Sequence, residues 1–140
     1  MIKPARSIAM LLMALTTSVA ARAACLDLSA DKLVSFEGTL NFQIFGGPPY
    51  NGGVTRGDTP EPTYILKLDK PICATGDDFA DEKQQVDRVQ IFPSYPSTGS
   101  SLWKTLRGSI GRHIRVEGRS AFAAHTGHHH APLLLPLRRI

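Results

Sequence analysis

Residues 34–45 read Val34-Ser35-Phe36-Glu37-Gly38-Thr39-Leu40-Asn41-Phe42-Gln43-Ile44-Phe45. Val34, Phe36, Leu40, Phe42 and Ile44 recur at period two, the pattern of a strand with one buried face. Gly38 interrupts that face. A glycine inside a long strand marks a bulge or a sharp coil, as closing a small barrel requires. Downstream, residues 46–62 are rich in glycine and proline without periodicity and predict a long loop. Residues 63–68 and 86–92 predict a second and a third strand, with Pro71 and Cys73 ending the second. The polar stretch 74–85, with Asp77, Asp78, Asp81 and Glu82, is expected to be a solvated loop, and 93–100 is turn material. Leu102, Trp103 and Leu106 fall at helical spacing, with Gly108 as the stop. Residues 112–124 alternate again, with Ile114, Val116, Phe122 and Ala124 on one face and Gly118 interrupting it. Residues 132–137 form a last apolar strand, which Pro136 marks as an edge because proline cannot donate to a ladder. Strand, strand, strand, short helix, strand, strand is the element order of a five-stranded OB-like antiparallel β-barrel. The predicted class is therefore all-β with one short helix. An SH3-like barrel or an open sandwich is the competing architecture.

The chain has 140 residues, one domain's worth. Residues 1–23 combine Lys3 and Arg6, a 14-residue apolar stretch from Ile8 to Ala21, and an Ala21-Arg22-Ala23 end. That is the plan of a secretory signal peptide cleaved after Ala23, leaving a single domain over 24–140. The apolar stretch is shorter than the roughly 20 residues a stable crossing needs. An uncleaved anchor, or a lipoprotein modified at Cys25, are the other readings of this end. The expected location is periplasmic or secreted, with no stable membrane insertion after cleavage. Three of the 16 basic residues and none of the 12 acids precede residue 24, so 13 bases face 12 acids in the rest. A balance this close to neutral gives no electrostatic case for nucleic acid. Export also favours pairing the two cysteines, Cys25 and Cys73, as a disulfide.

One constellation carries chemistry. His125, His128, His129 and His130 lie within six residues, in Ala-His-Thr-Gly-His-His-His-Ala-Pro. Neutral imidazole is the commonest ligand for transition metals. In an extended 128–130 segment, His128 and His130 point one way and His129 the other. A turn at Gly127 would bring His125 to the first side. The expected donor set is His125, His128 and His130, for a divalent ion such as Zn or Cu. A solvated connector is the competing reading. In an OB-like barrel this loop and loop 46–62 flank one binding face. Tyr50, Arg56, Asp58 and Glu61 of the longer loop are therefore the candidate ligand-binding partners. Asp58 or Glu61 would complete a coordination sphere or orient a histidine, although Asp58 before Thr59-Pro60 also fits turn chemistry.

Five segments (35–40, 57–61, 71–73, 116–118 and above all 124–130) resemble a bacterial domain-of-unknown-function family, numbered 4431. The resemblance implies a short exported protein with no assigned activity, so it supplies neither a substrate nor a catalytic residue. Ala131 stands where the resemblance places a hydroxyl residue. The expected function is a small exported binding module that holds a transition metal or a small polar ligand. An envelope protein-interaction or inhibitor domain without metal is the alternative. A metal-dependent hydrolase ranks behind both, because no nucleophile elbow, HExxH helix or phosphate loop is present.

Overall fold

The computed structural model describes residues 24–93 and 100–140. The expected signal peptide, 1–23, and most of the expected turn at 93–100 lie outside the described residues. The fold is mostly β with one helix. Its elements are β1 (Leu26–Asp27), β2 (Leu33–Gly46), a 3-10 turn (Val54–Arg56), β3 (Pro60–Ile72), β4 (Ala74–Thr75), β5 (Val86–Pro93), α1 (Ser100–Gly108), β6 (His113–Arg119), β7 (Phe122–Ala123) and β8 (Leu133–Arg139).

A six-stranded sheet runs in the order β5-β3-β2-β6-β8-β7, and β5 also pairs with β8. The line of pairings therefore returns to β5. All its ladders are antiparallel except β5–β8, which is parallel from Val89↔Leu133 to Pro93↔Leu137. β2 serves two neighbours: residues 33–39 pair with β6 and residues 38–46 with β3. Gly38 sits where the two ladders overlap, opposite both Leu68 and Ile114. A Cβ there would lie 2.0 Å from the Lys67 carbonyl oxygen, so only glycine lets β3 come this close. Gly118 plays the same part in β6, where a Cβ would lie 2.2 Å from the Pro136 carbonyl oxygen.

Phe36, Leu40, Leu66, Val89, Val116 and Leu135 form the centre of the core, and Leu106 of α1 packs into it. The predicted apolar face of β2 holds only as far as Leu40. Phe42 and Ile44 are exposed, because beyond Leu40 the strand has no β6 partner, and from Gln43 onward it projects with β3 as a two-stranded arm. Phe42 packs on Tyr64, which in turn meets Trp103.

Three other expectations are corrected. β3 begins at Pro60, inside the expected loop, and Pro60 and Pro62 fit because residues 60–63 pair with β2 alone. β8 is not an edge: it lies between β5 and β6, and Pro136, opposite Phe92 of β5, falls one residue past the last β6 partner, Leu137. The expected strand 112–124 breaks at Ser120, whose φ is 57°. That break reverses the side-chain phase, so Ala121 enters the core and Phe122 leaves it.

Cys25 and Cys73 form the expected disulfide. It fastens β1 to β4 in a short parallel pair, which lets Leu26 and Leu28 pack on the core.

Candidate functional site

The β2–β3 hairpin carries Glu61 at the start of β3, opposite Phe45. The loop 124–132 carries the histidines and is closed at its base by the Ala124 N–H bonded to the Pro132 carbonyl, at 3.0 Å. These two parts meet at the Glu61 carboxylate. His128 donates its Nδ1–H to one oxygen, and His130 donates its Nε2–H to the other at 2.7 Å. An ionised carboxylate only accepts, which fixes both ring nitrogens as donors. The His130 backbone N–H donates to Gln90 Oε1 at 2.6 Å, and its ring stacks on Phe45 at 4.1 Å, 3° from parallel. His130 is thus gripped from three strands' directions, and its side chain is only 10% exposed.

Burial alone would push the Glu61 carboxyl up. The hydrogen bonds from His130 and His128, with the charge of those rings, outweigh it and hold the group below its usual 4.5.

The other two loop histidines do different work. His129 Nδ1 accepts from the N–H groups of His125 and Thr126, at 3.0 and 3.3 Å, and so holds the turn together. An accepting Nδ1 must be unprotonated. Burial and the neighbouring imidazoles both lower this ring's pKa below 6.5, in keeping with that role. The turn's contribution to stability is therefore complete above pH 6.5 and is lost as acid protonates the ring below it. His125 donates Nδ1–H to the Ala123 carbonyl at 3.0 Å, and its ring lies among Phe79, Phe122 and His129.

The sequence-derived partners separate in the same way. Tyr50 reaches the histidine loop, its hydroxyl oxygen occupying the space where a Gly127 Cβ would sit. Asp58 does not face the site. It is buried, and its carboxylate accepts from the backbone N–H groups of Asn51, Gly52 and Gly53, which organises the loop from within. Arg56 is exposed and lies beside Gly52. The four imidazoles do not converge. Among the described residues no group of three or more His, Cys, Asp or Glu is placed to hold a metal ion. The 2.7 Å Glu61–His130 contact has hydrogen-bond spacing, whereas two ligands of one tetrahedral ion lie about 3.4 Å apart.

His130 also borders a cleft of about 490 Å³ on the outer face of β2, β3 and β5. Phe45 and Ile65 supply its apolar surface, and Asn41, Gln43, Lys67 and Arg88 its polar groups. A more open cleft of about 470 Å³ shares Phe45, Arg88 and His130 with it. A larger one, about 680 Å³, lies at the disulfide and contains none of the residues named for the site. The residues that sequence reasoning missed are Phe45, Ile65 and Gln90. Ile65-Leu66 held the signal: two apolar neighbours in a strand imply that both faces are covered. Ile65, Ala123, Ala131 and Leu134 are in fact buried outside the main core.

Residues 88–140 match the model of a family described as a domain of unknown function (DUF4431). This stretch is similar to that family. No curated protein and no solved structure matches the chain. The DUF4431 match begins at Arg88 and takes in Gln90, α1 and the whole histidine loop. It is narrower than the resemblance read from the sequence: the segments at 35–40, 57–61 and 71–73 precede it, and so does Glu61.

Proposed function

We propose that this chain is a small exported binding module, an OB-like barrel that takes a small polar ligand in the β2–β3–β5 cleft. The barrel reading is supported by the cycle of pairings β5-β3-β2-β6-β8-β5, with a helix between its third and fourth strands and one parallel closure. Export is supported by the leader-like sequence of residues 1–23 and by the disulfide. Among the described residues no helix is long and apolar enough to cross a membrane.

One observation carries the binding role. The Glu61–His128–His130 junction fixes two loop-bearing parts of the chain at the mouth of a cleft whose volume, about 490 Å³, suits a small molecule. In OB-type barrels this face, flanked by these two loops, is the one that binds. The junction acts as a frame: it holds the Phe45–His130 wall rigid, which reduces the ordering cost of binding.

The test is a chemical-shift titration of ¹⁵N-labelled, untagged protein with dicarboxylates, phosphate, amino acids, monosaccharides, Zn²⁺ and Cu²⁺. Saturable shifts centred on Asn41, Gln43, Ile65 and His130 are expected with at least one solute below about 10 mM. Shifts confined to Glu61, His128 and His130 with Zn²⁺ or Cu²⁺ would move the ligand to the metal class. No saturable shift with any solute would overturn the small-ligand reading in favour of a protein-interaction surface.

A further inference from the structure

Lys67 of β3 and Arg88 of β5 are direct partners in the antiparallel ladder. Like charges directly opposite one another on adjacent strands destabilise a sheet. Nothing within the described residues relieves this pair. The Lys67 side chain has no ion-pair or hydrogen-bond partner there, and the Arg88 side chain has only its chain neighbour Asp87, at 3.4 Å with both side chains half-exposed. A contact of that kind contributes little. Both cations line the same cleft, with Asp87 as the one carboxylate on its wall.

The cleft is therefore polarised. By the register of the strands the two cations stand at one end, Asn41 and Ile65 share the next row, Gln43 follows, and the stacked Phe45–His130 wall closes the other end. A guanidinium and an ammonium set side by side match the oxygens of a carboxylate or phosphate. We infer that the cleft holds a small organic anion, its oxyanion group between Lys67 and Arg88 and its body against Phe45 and Ile65. This rests on the binding-module reading and names its ligand class. The like-charge pair is the expense of a site that is neutralised when the anion arrives, in competition with Asp87 for Arg88.

The experiment titrates the untagged full-length gene product, ¹⁵N-labelled, with inorganic phosphate and with succinate, and in parallel with the neutral solutes glycerol and acetamide. Anions are expected to shift Lys67, Arg88 and Ile65 saturably, and neutral solutes at least about tenfold more weakly. Lys67→Gln combined with Arg88→Gln is expected to weaken anion binding at least about tenfold without lowering the unfolding temperature, since it removes a repulsion. Anion binding that survives this double substitution would overturn the inference. Shifts at the cleft with neutral solutes alone would also overturn it, while leaving the binding-module reading standing. Silence from both classes would overturn the inference, and the binding-module reading would then rest on the wider panel of solutes. A double variant that fails to fold would contradict the repulsion argument directly, and the single variant Arg88→Gln then carries the binding comparison.

Discussion

Gly38→Ala is expected to destabilise the protein by more than about 4 kcal/mol, a loss comparable with the whole stability of many small domains. The added Cβ would meet the Lys67 carbonyl oxygen at 2.0 Å and its carbon at 2.7 Å. Both are backbone atoms held in the β2–β3 ladder, so no side-chain rotation makes room. The position joins the β3 and β6 ladders, and moving either strand apart breaks the line of pairings. Gly108→Ala is the control: nothing lies within 4 Å of its Cβ position, and it ends α1. It is expected to change stability by less than about 1 kcal/mol. Equilibrium urea unfolding of both variants checks the contrast. Equal effects at the two sites would show that the close approach at Gly38 is not a constraint.

The second large effect concerns the disulfide. Cys25 and Cys73 are separated by 48 positions, and the cross-link restricts a long stretch of the unfolded chain. Chain-entropy arithmetic for a loop of that size gives about 4 kcal/mol. Replacing both cysteines with serine also frees β1 and the residue after it, where the N–H groups of Leu26 and Leu28 bond the carbonyls of Cys73 and Thr75. The double variant is expected to lose about 4 kcal/mol, read as a lower urea midpoint. A loss below about 1 kcal/mol would mean that β1 and β4 hold each other without the bond.

Much of the architecture was legible because β-strands advertise themselves at period two. Val34, Phe36 and Leu40 do point into the core. The pattern fails where tertiary neighbours decide. Nothing in Phe42 or Ile44 says that β6 stops beside them. Pro136 reads as an edge by its missing N–H, yet β8 tolerates it between two strands because the β6 ladder ends at Leu137. The run Leu133-Leu134-Leu135 held the better signal, since unbroken apolar strands are covered on both faces. The phase reversal at Ser120 rests on a positive φ in a residue that rarely adopts one, which no periodicity reports.

For the site, residue type and topology were enough to bring Glu61 toward His128 and His130. They did not sort the histidines. His129 is committed to two backbone N–H groups and His125 to a carbonyl and aromatic rings, and such local bonds follow from the shape of the turn. Gln90, which fixes the His130 backbone, is a single polar residue in a strand and carried no sequence signal.

The account turns on one carboxylate joining the β2–β3 hairpin to the histidine loop. Its pH signature has a definite sign. A carboxyl held below its ordinary 4.5 in the folded state adds stability above that pH, and the contribution is lost as acid titrates it below. The most direct measurement is a ¹³C-detected titration of the Glu61 carboxyl, in the natural protein and in a His128→Ala, His130→Ala variant. The account predicts a midpoint below 4.5 that rises when both imidazoles are removed. A Glu61 carboxyl that titrates at its ordinary value in the natural protein and does not move in the variant would contradict it.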